Sequence, residues 1–332
     1  MAPRNNEVLM HSLEPLRRFL DCEGVTELVI NEPGEVGVES RDGWNWHAVP
    51  EMTFHTLMSI AVGAASWTSQ NINQQNPICS TVLPTGERVQ ALLPPAVPDG
   101  TVSLTIRKPS SKSFTMDDFD KQGLFSETRI STPELSDVDQ QLVELRDKKN
   151  FADFFKLAVA SRKNIVISGS TGSGKTAFSK GLIQLIPEHE RILTIEDTRE
   201  LDVPQRNKVH MMYAKDAKGA SKISAKELLE SALRMRPDRI LLQELRDGTA
   251  FYYLRNVNSG HPGSITTVHA NSPALAFEQL TLLVKESEGG RDLARDDIRE
   301  LLHGLVDIVA QMKKINGKFL MTEVYYDPHR GI

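Results

Sequence analysis

Apolar and polar positions alternate along this chain in two distinct ways. Between residues 26 and 50, three short β-rich runs, TELVIN, EVGVES and WNWHAV, are separated by Pro33-Gly34 and Asp42-Gly43. Short β-forming runs punctuated by turn dipeptides predict an antiparallel meander. Residues 54–67 then carry Leu57, Ile60, Ala61 and Ala64 at helical spacing, which predicts a helix. Further strands are expected at 80–83, 88–93 and 102–107, so residues 1–108 read as a small α+β domain.

After Lys108-Pro109 the stretch SSKSFT is polar, and acidic helical patterns follow at 116–125 and 138–145. Residues 109–149 are expected to form a linker with helices. From 150 to 332 the pattern changes: helical segments alternate with the apolar runs NIVIS, RILTIED, RILLQE and SITTVHA. That order predicts a mostly parallel sheet covered by helices, an α/β fold. Asn316-Gly317, between apolar runs at 306–312 and 319–326, predicts a hairpin that extends the sheet.

Composition removes several function classes. The 332 residues are 39% hydrophobic and 25% charged, which is ordinary globular composition with enough chain for two cores. A net charge of -5 supplies no chain-wide cationic field, which disfavours a protein that coats nucleic acid. Cys22 and Cys79 stand far apart, so neither a disulfide framework nor a cysteine zinc site is indicated. The first twenty residues lack the apolar stretch of a signal peptide, and no run of about 18 apolar residues occurs. The expected location is cytoplasmic, with any membrane association peripheral.

Gly169, Ser170, Thr171, Gly172, Ser173, Gly174, Lys175 and Thr176 satisfy GxxxxGK[ST] between an expected strand at 164–168 and an expected helix at 177–186 that starts on Ala177. This is the context of a phosphate-binding P-loop, in which glycines let successive N–H groups face the phosphates at a positive helix terminus. Lys175 is expected to reach the β- and γ-phosphates of ATP, and the Thr176 hydroxyl to hold Mg²⁺.

Carboxylates gather after the next apolar runs. RILTIEDTREL delivers Glu196 and Asp197, with Glu200 further on, and RILLQELRD brings out Glu244. Glu244 is the candidate for polarising the attacking water, and Glu196 for orienting Mg²⁺. Taken singly, each is as readily a solvated strand end. His261 sits in an expected turn and His269 at the end of a strand; both are candidates for the nucleotide edge, and both could equally be structural. Arginines that could neutralise developing charge are Arg88, Arg107, Arg234, Arg236 and Arg246, which the sequence does not rank.

GSTGSGKT, TIEDTREL, LRMRPDRILLQELRD and SGHPGSITTVHANS, in this order, resemble the Walker A, acidic, Walker B and histidine boxes of the secretion (traffic) ATPases. Within that superfamily the chain is most similar to the hexameric ATPases of type IV secretion systems, the VirB-eleven family, because PTGERVQALLPP and SLTIRKPS also fit. The resemblance covers nearly the whole chain. It implies a RecA-like ATPase domain, a homo-hexamer, inner-membrane partners in a secretion apparatus, and protein or DNA cargo. It also implies that Arg88 and Arg107 approach the phosphates. Gln243 stands where this family usually has glycine, and the expected consequence is slow hydrolysis with nucleotide binding retained. Two other readings stay open: a type IV pilus or type II secretion motor, and an ATP-binding switch with slow turnover.

Overall fold

The structure, a computed structural model, describes residues 6–109, 113–128, 130, 134–214 and 223–329. Six strands make the first sheet: β1 Glu27–Ile30, β2 Glu35–Ser40, β3 Gly43–Ala48, β4 Ile78–Val82, β5 Arg88–Leu92 and β6 Ser103–Arg107. They pair antiparallel in the order β3-β2-β1-β6-β5-β4. The predicted meander is β1 to β3, its turns made by Gly34 and Gly43 at φ 85° and 90°, where a side chain would be strained.

Two helices supply the core of this sheet. Helix α2, Phe54–Trp67, begins where Thr53 caps it by accepting the Thr56 N–H. Helix α1, Glu7–Leu20, packs against α2, and its Leu9, Leu13, Leu16 and Leu20 join Leu28, Ile30 and Leu104 in one apolar cluster. The expected elements did not include this helix, which runs through Pro15.

Helices α3, Met116–Lys121, and α4, Asp137–Asp147, follow; α3 stops short of the predicted 125. Ser110, Ser111 and Lys112, part of the expected polar loop, lie outside the described residues. The remaining elements are α5 Phe151–Ala160, β7 Ile165–Gly169, α6 Lys175–Ile183, β8 Ile192–Glu196, β9 Lys208–Met212, α7 Ala225–Ala232, β10 Arg239–Leu242, α8 Thr249–Asn258, β11 Ile265–Val268, α9 Pro273–Glu286, α10 Arg295–Leu305, β12 Ile308–Ile315 and β13 Lys318–Tyr326.

These strands form the runs β11-β7-β12-β13 and β10-β8-β9. The runs meet where the Leu245 N–H donates to the Thr267 carbonyl at 2.8 Å. Pairing is parallel except between β12 and β13. β7, β8, β10 and β11 are buried at every position, which is why their sequences show no in-and-out alternation of apolar and polar residues. The first sheet is pinned to the second by Arg191, which is wholly buried. It donates to Asn31 Oδ1 at 2.9 Å, Thr105 Oγ1 at 3.3 Å and the Met235 carbonyl at 2.8 Å.

Candidate active site

Because β7 is buried to its end at Gly169, the chain must turn at the carboxyl edge of the sheet, where ligands of α/β folds bind. A Cβ on Gly169 would stand 2.6 Å from the Met312 carbonyl and collide with the Ser173 hydroxyl. Gly172 and Gly174 hold φ of 71° and 92°, again left-handed values that favour glycine. Helix α6 starts at once on Lys175, two residues before its predicted start, and no side chain caps its first turn. The first N–H groups of a helix have no intrahelical partner and carry its positive end. Donors left in this way suit a phosphate.

Lys175 Nζ donates to the carbonyls of Gly169 at 2.7 Å and Ser170 at 2.9 Å, and lies 3.4 Å from His269 Nδ1. An ammonium only donates, so Nδ1 is the acceptor and the ring proton belongs on Nε2. Burial pushes the Lys175 pKa down, against the opposing charge of Glu244.

Glu244 follows β10 by two residues and His269 follows β11 by one, so two strand ends bring them together. His269 Nε2 stands 2.7 Å from Glu244 Oε1, but off the line of a hydrogen bond, and this buried oxygen has no hydrogen-bond partner. The other oxygen is committed: Arg246 Nε donates to Oε2 at 2.7 Å, and the same guanidinium reaches Asp197 Oδ2 at 3.2 Å. Burial works to lower the Arg246 pKa, yet the charges of Glu244 and Asp197 outweigh it and raise the pKa. Lys175, Thr176, Glu200, Gln243, Glu244 and His269 line one cleft of about 220 Å³. Ser170, Thr171, Thr176 and Ala177 are exposed. A phosphate cradle therefore adjoins a carboxylate oxygen that lacks an aligned donor, a place where a water can hand over a proton.

Glu196 does not reach this cleft. It is wholly buried; Oε1 accepts from the Thr194 hydroxyl at 2.6 Å and lies 2.9 Å from His210 Nδ1, while Oε2 accepts the N–H groups of Glu200 and Leu201, both at 2.8 Å. Burial opposes its ionisation, but donation from His210, Leu201, Thr194 and Glu200 wins and lowers its pKa. With both oxygens occupied, it is not free to orient a cation. Glu200, held by that same carboxylate, faces the cleft instead. Glu200 carries no role in the expected site; its signal in the sequence is a second acid four residues after Glu196, in the loop beyond β8.

His261 is also elsewhere. It precedes β11 whereas His269 follows it, so a four-residue strand, about 13 Å, sets them on opposite edges of the sheet. Its neighbours are Pro237, Asp238, Arg236 and Arg162, and burial lowers its pKa. Arg88 and Arg107 are register partners on β5 and β6. They line a separate cleft of about 640 Å³ with Arg234, outside the phosphate cleft.

Residues 11–315 match the family model described as type II/IV secretion system protein. The type IV secretion system protein VirB11 of Bartonella henselae is 56% identical, over 97% of this chain and 94% of that protein. Its counterpart in Brucella suis is 41% identical, over 96% and 90%. The crystal structure of the VirB11 ATPase from the Brucella suis type IV secretion system, in complex with sulphate, matches with a TM-score of 0.91 at 40% identity, over 97% of this chain and 98% of that one. Agreement in sequence and fold spans both sheets and the P-loop cleft between Lys175 and Glu244, and the chain belongs to the type II/IV secretion system protein family, among the VirB11 ATPases of type IV secretion systems.

Proposed function

We propose that the chain is the ATPase that energises a type IV secretion system and that it hydrolyses Mg-ATP in the P-loop cleft. The observation that carries this is the meeting of Lys175, Glu244 and His269 at one cleft. Lys175 donates to two loop carbonyls; a bound triphosphate would take its ammonium from Gly169 and Ser170. Glu244 Oε1 accepts the proton of the attacking water. His269, between Lys175 and Glu244, reports occupancy of the γ-phosphate position to the base. Thr176 and Glu200, both oxygen donors at the cleft, suit Mg²⁺, which when bound neutralises phosphate charge.

Arg88 and Arg107, outside the phosphate cleft of their own chain, would serve the phosphates across a closing interface, which fits a ring of identical copies. We assign a homo-hexamer, attached to inner-membrane components at the cytoplasmic face, that moves protein or DNA cargo indirectly. Among the described residues no helix is long and apolar enough to cross a membrane. Phosphate release and oligomer mass for the parent and Lys175→Ala, with magnesium or with EDTA, test this. The parent is expected to be a hexamer that hydrolyses ATP with magnesium alone; the variant is expected to be inactive. A parent that neither binds Mg-ATP nor assembles overturns the proposal.

A further inference from the structure

The order of the strands gives the phosphate loop two different flanks. β7 lies between β11 and β12. Glu244 and His269, which suit the γ-phosphate, gather on the β11 flank; a nucleotide that lays its γ-phosphate there has the β12 flank left for its base. There β12 pairs with β7 as far as Met312, opposite Gly169. It then continues to Ile315, beyond the end of β7, and returns through Asn316-Gly317 as β13.

This overhang brings Phe319 onto the loop: a Cβ at Gly174 would stand 3.1 Å from its side chain. Phe319 nevertheless remains 57% exposed, with the Lys314 ammonium 5.5 Å from the ring centre. A phenyl ring that touches the P-loop, carries a flexible lysine over it and is still more than half exposed buries too little surface to count as a core residue. It is well suited to receive a second flat ring.

We infer that Phe319 is the base-stacking residue of the nucleotide site, its ligand the aromatic base of a purine nucleotide. The inference rests on the phosphate-loop reading above and adds the part of the ligand that reading leaves unplaced. Stacking needs only a π-face, which every base has. Phe319 therefore sets affinity for the nucleotide and does not choose between adenine and guanine.

The competing role is mechanical, a ring that merely braces Gly174. Calorimetric titration of the full chain with ADP, GDP and inorganic tripolyphosphate separates the two, because tripolyphosphate uses the loop and has no base. Phe319→Ala is expected to weaken ADP and GDP about tenfold, the size of one base–aromatic stack, and to leave tripolyphosphate where it is in the parent. Phe319→Trp is expected to keep ADP affinity. Equal weakening of ADP and tripolyphosphate assigns the ring to loop support and overturns the inference, as does unchanged ADP affinity. A parent that binds neither ligand overturns the phosphate-loop reading itself, and this inference with it.

Discussion

Arg246 joins Glu244 to the acidic turn after β8: its Nε donates to Glu244 Oε2 at 2.7 Å while its far end reaches Asp197 at 3.2 Å. One planar guanidinium thereby occupies Oε2 of Glu244 and, in the proposed mechanism, leaves Oε1 for the water. Arg246 lines the phosphate cleft, but its guanidinium is tied to Glu244 and Asp197, so its loss should lower kcat far more than it raises KM for ATP. For Arg246→Met a fall of about 10²-fold in kcat is expected, the cost of a misaligned base. Arg246→Lys should recover part of it, since it restores charge without the two-point fork. Steady-state phosphate release yields both parameters; a raised KM with kcat intact would instead make Arg246 a binding residue.

Glu27 on β1 should make the fold less stable as pH rises. It is 2% exposed, and burial raises its pKa to about 7 from the ordinary 4.5, against the pull of Arg107. Between those values the folded chain keeps a proton that the unfolded chain has lost, so the cost accumulates from about 4.5 to about 7 and is complete above that. Glu27→Gln should match the parent near the lower limit and exceed it by about 1–2 kcal/mol at pH 8, after discounting the Arg107 attraction. Urea unfolding at the two pH values measures this. A variant less stable than the parent at pH 8 would show that Arg107 and Arg191 need the carboxylate.

Much of this was legible in the sequence because it is local. The P-loop, the meander at 26–50 and the hairpin at Asn316-Gly317 are each specified by residues a few positions apart, and α2 falls on its predicted span. What sequence could not rank was direction. His261 and His269 stand in one segment, yet the intervening strand sends them to opposite edges. Glu196 and Glu200 share one acidic run, yet the first turns inward to cap the backbone of the second. Phe319 is ordinary in sequence, and its contact with Gly174 exists because β12 outruns β7.

Glu196 should prove to be a support of the site rather than a ligand in it. Its carboxylate takes charge-assisted bonds from backbone and side chain, and its pKa is lowered by them, net of burial. A carboxyl depressed in the folded state stabilises above the unfolded value of 4.5 and loses that contribution as pH falls through its folded value. Glu196→Gln is expected to cost about 2–3 kcal/mol at pH 7, with the gap from the parent narrowing toward pH 4. Denaturant titrations at both values check it. A gap that is constant with pH would mean the charge on Glu196 contributes nothing.

Gln243 offers the most direct test of what limits turnover. Its backbone is tied on both sides: the N–H donates to the Ile195 carbonyl at 3.2 Å, and its carbonyl accepts from the Thr267 hydroxyl at 3.2 Å. Neither bond involves the side chain, which lines the cleft beside Glu244. If the proposed attacking water stands beside Glu244, an amide there takes up its volume and competes for the hydrogen bonds that orient it. Gln243→Gly keeps the backbone ties at a conformational cost of about 1 kcal/mol. The variant should raise kcat several-fold, roughly the effect of one misdirected hydrogen bond. Affinity for ATP should stay near that of the parent, because Lys175 and the loop are untouched. Gln243→Ala separates the two consequences of glycine: if clearing the cleft is what matters, alanine gains most of the increase; if backbone freedom is what matters, it gains little. Equal kcat in parent, glycine and alanine forms would show that Gln243 does not limit hydrolysis.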